Sequence, residues 1–192
     1  MKFRNIFSLL ILFLFFLEGC SECEKLNLTQ DEKSWVNHFK TGQRSFYKST
    51  NGEIDTIEVT EVRNFYTPCN KIELSKYQFE VYDASFIIKS VSKYNNDKCL
   101  LVYKTSSYEP RIPNIYFGNL GPRKNGLENK VPVAIDVIVE GVKLSSVYYY
   151  AKGLNTEEYG ETERFKNFFW DKQSGLVAYT TVDDELFLRI NQ

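Results

Sequence analysis

The feature that most constrains this chain is a two-residue alternation of apolar positions that begins near Arg44 and recurs along most of the remaining length. Successive side chains of a strand point to opposite faces, so this period specifies half-buried β-strands and argues against a mainly helical fold. It is clearest in residues 131–150. Val131, Val133, Ile135, Val137 and Val139 occupy every second position, Glu140-Gly141 supplies a two-residue turn, and Val142, Leu144, Ser146, Tyr148 and Tyr150 return opposite them. That pairing places all ten on one face. Asn51-Gly52 is a second turn signal; a two-residue turn there opposes Phe46 to Ile57 and Lys48 to Asp55. A turn at Asp183-Asp184 sets Val177, Tyr179 and Thr181 against Ile190, Leu188 and Leu186. Further strands are expected over 71–82, with a change of phase near Ser75-Lys76, and over Ser85–Ser92 and Lys98–Thr105.

Aromatic content supports the same class. Aromatics make up 16% of the chain, with 13 Tyr and 15 Phe, residues that suit a pleated, half-buried surface. Two stretches lack the alternation. Residues 106–130 carry Pro110, Pro113, Pro122 and three glycines, and read as a long loop holding one short strand, Asn114–Phe117. Residues 153–166 carry four glutamates and read as a loop or helical turn. Before the first strand, Thr29-Gln30-Asp31-Glu32 is a capping-box pattern, followed by Trp35, Val36 and Phe39 at helical spacing and by Gly42. A short amphipathic helix over 30–40 follows from it. The expected fold is mainly β: an antiparallel sandwich, barrel or strongly curved sheet of about nine or ten strands with one short N-terminal helix.

The first residues carry a different message. Lys2 and Arg4 precede an apolar run from Ile6 to Leu17, broken only by Ser8, which has the length of a signal-peptide core and falls short of a spanning helix. No Ala occurs before Ala84, so the Ala-x-Ala pattern of ordinary secretory cleavage is absent. Leu17-Glu18-Gly19-Cys20 instead resembles the lipobox of bacterial lipoproteins: Leu17, Gly19 and Cys20 match, and Glu18 stands where a small residue is usual. The resemblance implies cleavage after residue 19, a diacylglyceryl thioether on Cys20 and an acylated, palmitate-type amine. Two or more chains are what stable anchoring requires. It also implies a cell-envelope protein anchored to the outer membrane, on its periplasmic or its outer side. The acidic residues after Cys20 are similar to export signals of some Gram-negative lipoproteins. The expected organisation is a signal peptide at 1–19, a lipid-anchored tether at 20–28 and a single β-rich domain at 29–192. The whole layout, closing on Trp170-x-Lys172-x-x-Gly175-Leu176-Val177, resembles uncharacterised bacterial β-rich lipoproteins, a resemblance that carries no activity.

The chain has four cysteines. With Cys20 given to lipid, Cys69 and Cys99 are the expected disulfide and Cys23, in the tether, the spare. Cleavage takes Lys2, Arg4 and Glu18 from 24 basic and 25 acidic residues and leaves a net charge of −2, which gives no electrostatic footprint for nucleic acid. His38 is the only histidine, and no Cys-x-x-Cys pair lies beyond the tether, so no metal or cofactor is expected. No Gly-x-Ser-x-Gly, phosphate-binding glycine loop or calcium loop occurs. Acids are plentiful, including Asp136, Glu140, Asp171, Asp183, Asp184 and Glu185, and a glycosidase needs only two of them on one cleft. The remaining signal is aromatic: Tyr149, Phe169 and Trp170, with Arg111 and Arg123 of the 106–130 loop, are the candidate contacts to an envelope protein or glycan. A non-catalytic, partner-binding lipoprotein is the leading expectation. A carrier of an apolar molecule inside a barrel or curved sheet comes second, and a glycan hydrolase third.

Overall fold

The computed structural model describes residues 23–69, 77–90, 98–105, 114–118, 120–122, 133–154, 156–158 and 164–190. The expected signal peptide at 1–19, Cys20, Arg111, Arg123 and the expected phase change near Ser75-Lys76 therefore lie outside the described residues, as do the side chains of 98–105, Cys99 included. In chain order the elements are β1 (Glu24–Leu26), α1 (Gln30–Lys33), β2 (Arg44–Ser49), β3 (Ile54–Tyr66), β4 (Tyr77–Ser90), β5 (Lys98–Thr105), β6 (Asn114–Phe117) and β7 (Leu120–Pro122). They continue with β8 (Ala134–Val139), β9 (Val142–Ala151), β10 (Thr156–Glu158), β11 (Phe165–Asp171), β12 (Gly175–Thr181) and β13 (Leu186–Ile190). The fold is mainly β, and its strands follow the hydrogen-bonded order β10-β7-β6-β5-β4-β3-β2-β13-β12-β11-β9-β8, with β1 joined parallel to β4. The thirteen described strands exceed the nine or ten expected, because β1, β7 and β10 are three-residue strands too short to show a period.

The order begins at β10 and ends at β8, so the sheet is not a closed barrel. It is curled nonetheless. Phe117 of β6 and Phe165 of β11 are separated by most of the strand order, yet their ring centroids lie 4.4 Å apart. Inside the curl sits one aromatic core: Trp35, Phe39, Tyr47, Phe86, Phe117, Tyr150, Phe165, Phe168, Trp170, Tyr179 and Phe187 are buried together with Ile57, Val59 and Leu176. A second, smaller cluster covers the other face of the last strands, where Val147, Phe169, Ala178 and Leu186 are packed with Val137, Leu144, Tyr149, Val177 and Leu188.

The helix is shorter than expected. The capping box forms as read, Thr29 and Glu32 bonding reciprocally, but α1 ends at Lys33 after one turn. Turns then carry Trp35, Val36 and Phe39 into the core, where burial rather than helical hydrogen bonding holds them. The expected tether is also part of the fold from Cys23 onward. β1 adds to the end of β4, Leu28 is buried, and Cys23 is bonded to Cys69 with a Cα–Cα distance of 6.1 Å. This corrects the expected Cys69–Cys99 disulfide. β1 brings Cys23 to the same end of β4 as the segment that follows β3, and Cys69 has only one sulfur to give.

Candidate functional site

Three hairpins decide which side chains reach the surface. In the β8–β9 hairpin, Glu140 and Gly141 take left-handed φ values of 48° and 77°, the two-residue turn expected, and Val139 faces Val142 and Val137 faces Leu144. Beyond that the register shifts. Ser146 is left-handed at φ 55°, its N–H donates to Asp136 Oδ1 at 2.9 Å, and Ile135 faces Val147 rather than Ser146. The bulge divides β9: Val147 and Tyr149 join Leu144 in the outer cluster, while Tyr148 and Tyr150 turn inward. The single face expected for Val142 through Tyr150 is therefore two.

The other two hairpins each carry a three-residue loop where a two-residue turn was expected. Ser49 N–H donates to Glu53 O and Gly52 N–H to Ser49 O, with Gly52 at φ 90°. Thr181 N–H donates to Glu185 O and Asp184 N–H to Thr181 O, with Asp184 at φ 63°. A type I turn followed by one left-handed residue is the standard three-residue solution. Both registers move by one, so Lys48 faces Ile54 and Tyr47 faces Asp55, and Tyr179 faces Phe187 rather than Leu188. A one-residue move flips every side chain. Tyr47 and Phe187 go into the core, and Lys48 and Leu188 go to the outer face.

The aromatic residues singled out from the sequence do not form a surface. Trp170 is fully buried, 5.9 Å from Phe39 between ring centroids. Phe169 is buried against Tyr149 at 4.9 Å, leaving only Tyr149 half-buried at the surface. The reason is two-sided cover: the Trp35–Phe39 turns fill the inner side, and the β8–β9 hairpin lies over the outer one. The proposed contacts at Phe169 and Trp170 are corrected accordingly.

What the outer face does offer is a groove of about 590 Å³. Its walls are Val142 and Leu144 of β9, Val177 and Leu188 of β12 and β13, and Ile190. Lys48 and Arg189 stand at it, with Ser49, Thr50 and Ser174 completing the rim. Arg189 Nη1 donates to Ser174 O at 2.5 Å, which fixes the guanidinium beside the groove. Among the described residues neither Lys48 nor Arg189 has a carboxylate within 4.0 Å. Next to it the apolar hairpin stays uncovered: Val142 is 45% exposed, Ile138 72% and Val133 68%. β8 has a strand neighbour on one side only, among the described residues, so its other edge presents unpaired backbone groups. Sequence reasoning missed this site. The Asp183-Asp184 turn sets Val177, Leu188 and Ile190 on one face with Tyr179, whereas Tyr179 goes to the core and Val177 and Leu188 to the outer cluster.

The buried carboxylates are structural. Asp55 accepts from Tyr179 OH at 2.5 Å, and Asp83 is held by the Arg63 guanidinium at 2.5 Å. Glu80 accepts from Leu28 N–H at 2.8 Å and Asn64 Nδ2 at 3.0 Å and pairs with Lys33 at 3.0 Å. Burial alone raises the Glu80 pKa, but these three partners outweigh it and hold the carboxyl below its ordinary value. His38 stacks against Phe39 and lies beside Gly175 at the start of β12. Burial holds its imidazole below the ordinary value and outweighs the Ser34 backbone and the Asp171 charge, which act to raise it. Ser174 Oγ donates to Asp171 Oδ1 at 2.6 Å, a bond that closes the β11–β12 turn and does not engage His38. Nucleophilic catalysis needs the serine on the imidazole, so this trio has the wrong connectivity. Among the described residues no group of three metal-ligating side chains occurs, and no helix is long and apolar enough to cross a membrane.

No family model, curated protein or solved structure matches this chain.

Proposed function

We propose that the protein is a lipid-anchored binding module of the cell envelope, and that the groove walled by Val142, Leu144, Val177, Leu188 and Ile190 receives a segment of a protein partner. The observation that carries this reading is the union of an apolar groove with two cations that no described carboxylate neutralises. Apolar walls reward burial of aliphatic side chains, and Lys48 with Arg189 favour a segment that also carries an acidic residue. The free edge of β8 favours a polypeptide over a glycan, since it supplies backbone donors and acceptors for an added strand. The aromatic platform on which a glycan would stack is buried. Within the described core, one void bears on the carrier reading. The void bordered by Phe39, Tyr47, Ile57, Val59, Phe86 and Leu176 measures about 10 Å³, space for about one water.

A photo-crosslinking amino acid at Val142 in cells, against one at the exposed turn residue Asn37, tests the proposal. A discrete protein adduct from position 142 alone, lost in the Lys48→Glu, Arg189→Glu double variant, is the expected result. Adducts of equal yield and pattern from both positions, or adducts indifferent to the charge reversal, refute it.

A further inference from the structure

The Cys23 end of the described chain and the groove lie at opposite ends of β3. At the N-terminus, β1 lies beside residues 77–79 of β4, and on the other side of β4 the end of β3 runs out through Phe65 and Tyr66. The Cys23–Cys69 disulfide joins the two flanking segments. This three-stranded tip carries large exposed rings: Phe65 is 41% exposed and Tyr66 36%. A cation accompanies each. Lys25 Nζ lies 5.1 Å from the Tyr66 ring centroid, and Arg63 Cζ lies 5.7 Å from that of Phe65. Tyr66 OH also donates to Asn27, which ties its ring to the chain leaving β1.

We infer that this tip is the surface on which the domain rests against the headgroup layer of the bilayer that holds its anchor. The inference rests on the reading of Cys20 as lipid-modified. Three peptide units separate Cys20 from Cys23, and they span at most about 11 Å. Cys23 is fixed by its disulfide and by β1, so no long tether lets the domain drift away. Whatever faces surround Cys23 must lie at the membrane interface. The residues found there suit it: amphipathic rings settle at headgroup depth, and the Lys25 ammonium beside Tyr66 stands where lipid phosphate would meet it, while the Arg63 guanidinium is held by Asp83 and serves the Phe65 ring. Glu24 is the described acid on β1 itself, so the patch is mixed in charge and its hold on the surface is as much aromatic as electrostatic.

The geometry has a consequence for the groove. β3 runs from Ile54 to Tyr66, thirteen residues, or about 40 Å of strand. Lys48 pairs with Ile54 at the end remote from Tyr66, and Thr50 lines the groove beyond it. Resting on its tip, the domain holds the groove out from the membrane, where a partner in the aqueous compartment reaches it.

The test uses the full chain purified with its lipid and placed in phosphatidylethanolamine–phosphatidylglycerol vesicles containing brominated acyl chains. Phe65→Trp reports the tip, Lys25→Trp is a second probe of it, and Asn51→Trp reports the far end of β3. The native Trp35 and Trp170 are buried and form a common background. Quenching several-fold stronger at 65 or 25 than at 51 is expected. Equal quenching at both ends on a chain whose Cys20 carries lipid overturns the inference and leaves the anchor standing. Absence of lipid on Cys20, with no vesicle binding, overturns both.

Discussion

Glu80 shows how a single buried charge is made to belong. It is nearly inaccessible, and three groups from three parts of the chain converge on it: Leu28 N–H, Asn64 and Lys33. Glu80→Ala strands a buried N–H and loosens the attachment of the N-terminal segment, at a cost of about 2 kcal/mol in urea unfolding, and Glu80→Gln costs less because it still accepts from Leu28. Since the folded carboxyl is held below its ordinary value of 4.5, the unfolded chain binds the proton first as pH falls. Its contribution is complete above that value and drains away beneath it. His38 acts in the same direction at higher pH. Burial lowers its pKa from the ordinary 6.5, so the unfolded state takes up a proton that the folded state resists, and stability declines as pH drops below 6.5. The prediction is a melting temperature that falls from pH 6.5 to 5 in the native protein and stays nearly level over that window in His38→Gln. A slope unchanged in the variant assigns the effect to another group. Neither environment was legible in advance: His38 is half-buried only because distant segments pack on it, and Glu80 differs from the other acids only in what the fold brings to it.

Hairpin loops are where the reading of elements succeeded in kind and missed in register. Strand, turn and partner were each visible around Asn51-Gly52, around Glu140-Gly141 and around Asp183-Asp184. The turn lengths were not, because Asn-Gly and Asp-Asp serve two- and three-residue loops alike, and the choice depends on which register buries Tyr47 and Phe187. The bulge at Ser146 is the same problem within a strand. It turns Val142 and Leu144 onto the face shared with Val177 and Leu188 and so builds one wall of the groove. Asp136→Ala, which leaves Ser146 N–H without its carboxylate, is expected to cost about 1 kcal/mol in chemical denaturation with the far-ultraviolet spectrum unchanged. Deleting Ser146 removes the bulge and leaves Leu144 two positions from Val147, so both stay on the outer face and the position-142 crosslink should persist. Deleting Ser145 and Ser146 together places Leu144 next to Val147 and turns Val142 and Leu144 to the opposite face, so the crosslink should disappear where circular dichroism still reports a folded sheet; a crosslink retained in the double deletion would show that the phase at these residues does not shape the groove.

At the scale of the whole molecule, long sequence separations do the joining. The Cys23–Cys69 bond closes a loop of 46 residues, for which loop-closure entropy gives about 4 kcal/mol of stabilisation. Cys23→Ser and Cys69→Ser are each expected to lower the urea midpoint by a similar amount and to abolish the further effect of reductant, whereas Cys99→Ser leaves reductant sensitivity intact. A Cys99→Ser protein insensitive to reductant would return the pairing to Cys69–Cys99. The disulfide and β1 also make residues 23–28, expected as a tether, part of the fold. By itself the sequence determined the class of fold, the capping box and the three principal hairpins, because periodicity and turn chemistry are written within a few positions of one another. Tertiary structure alone decided the partner of Cys69, the burial of Phe169 and Trp170, the phase of Tyr47 and Leu188, and hence the groove. Each of these depends on which distant segment covers which face, and a period of two names the faces of a strand without saying what lies against them.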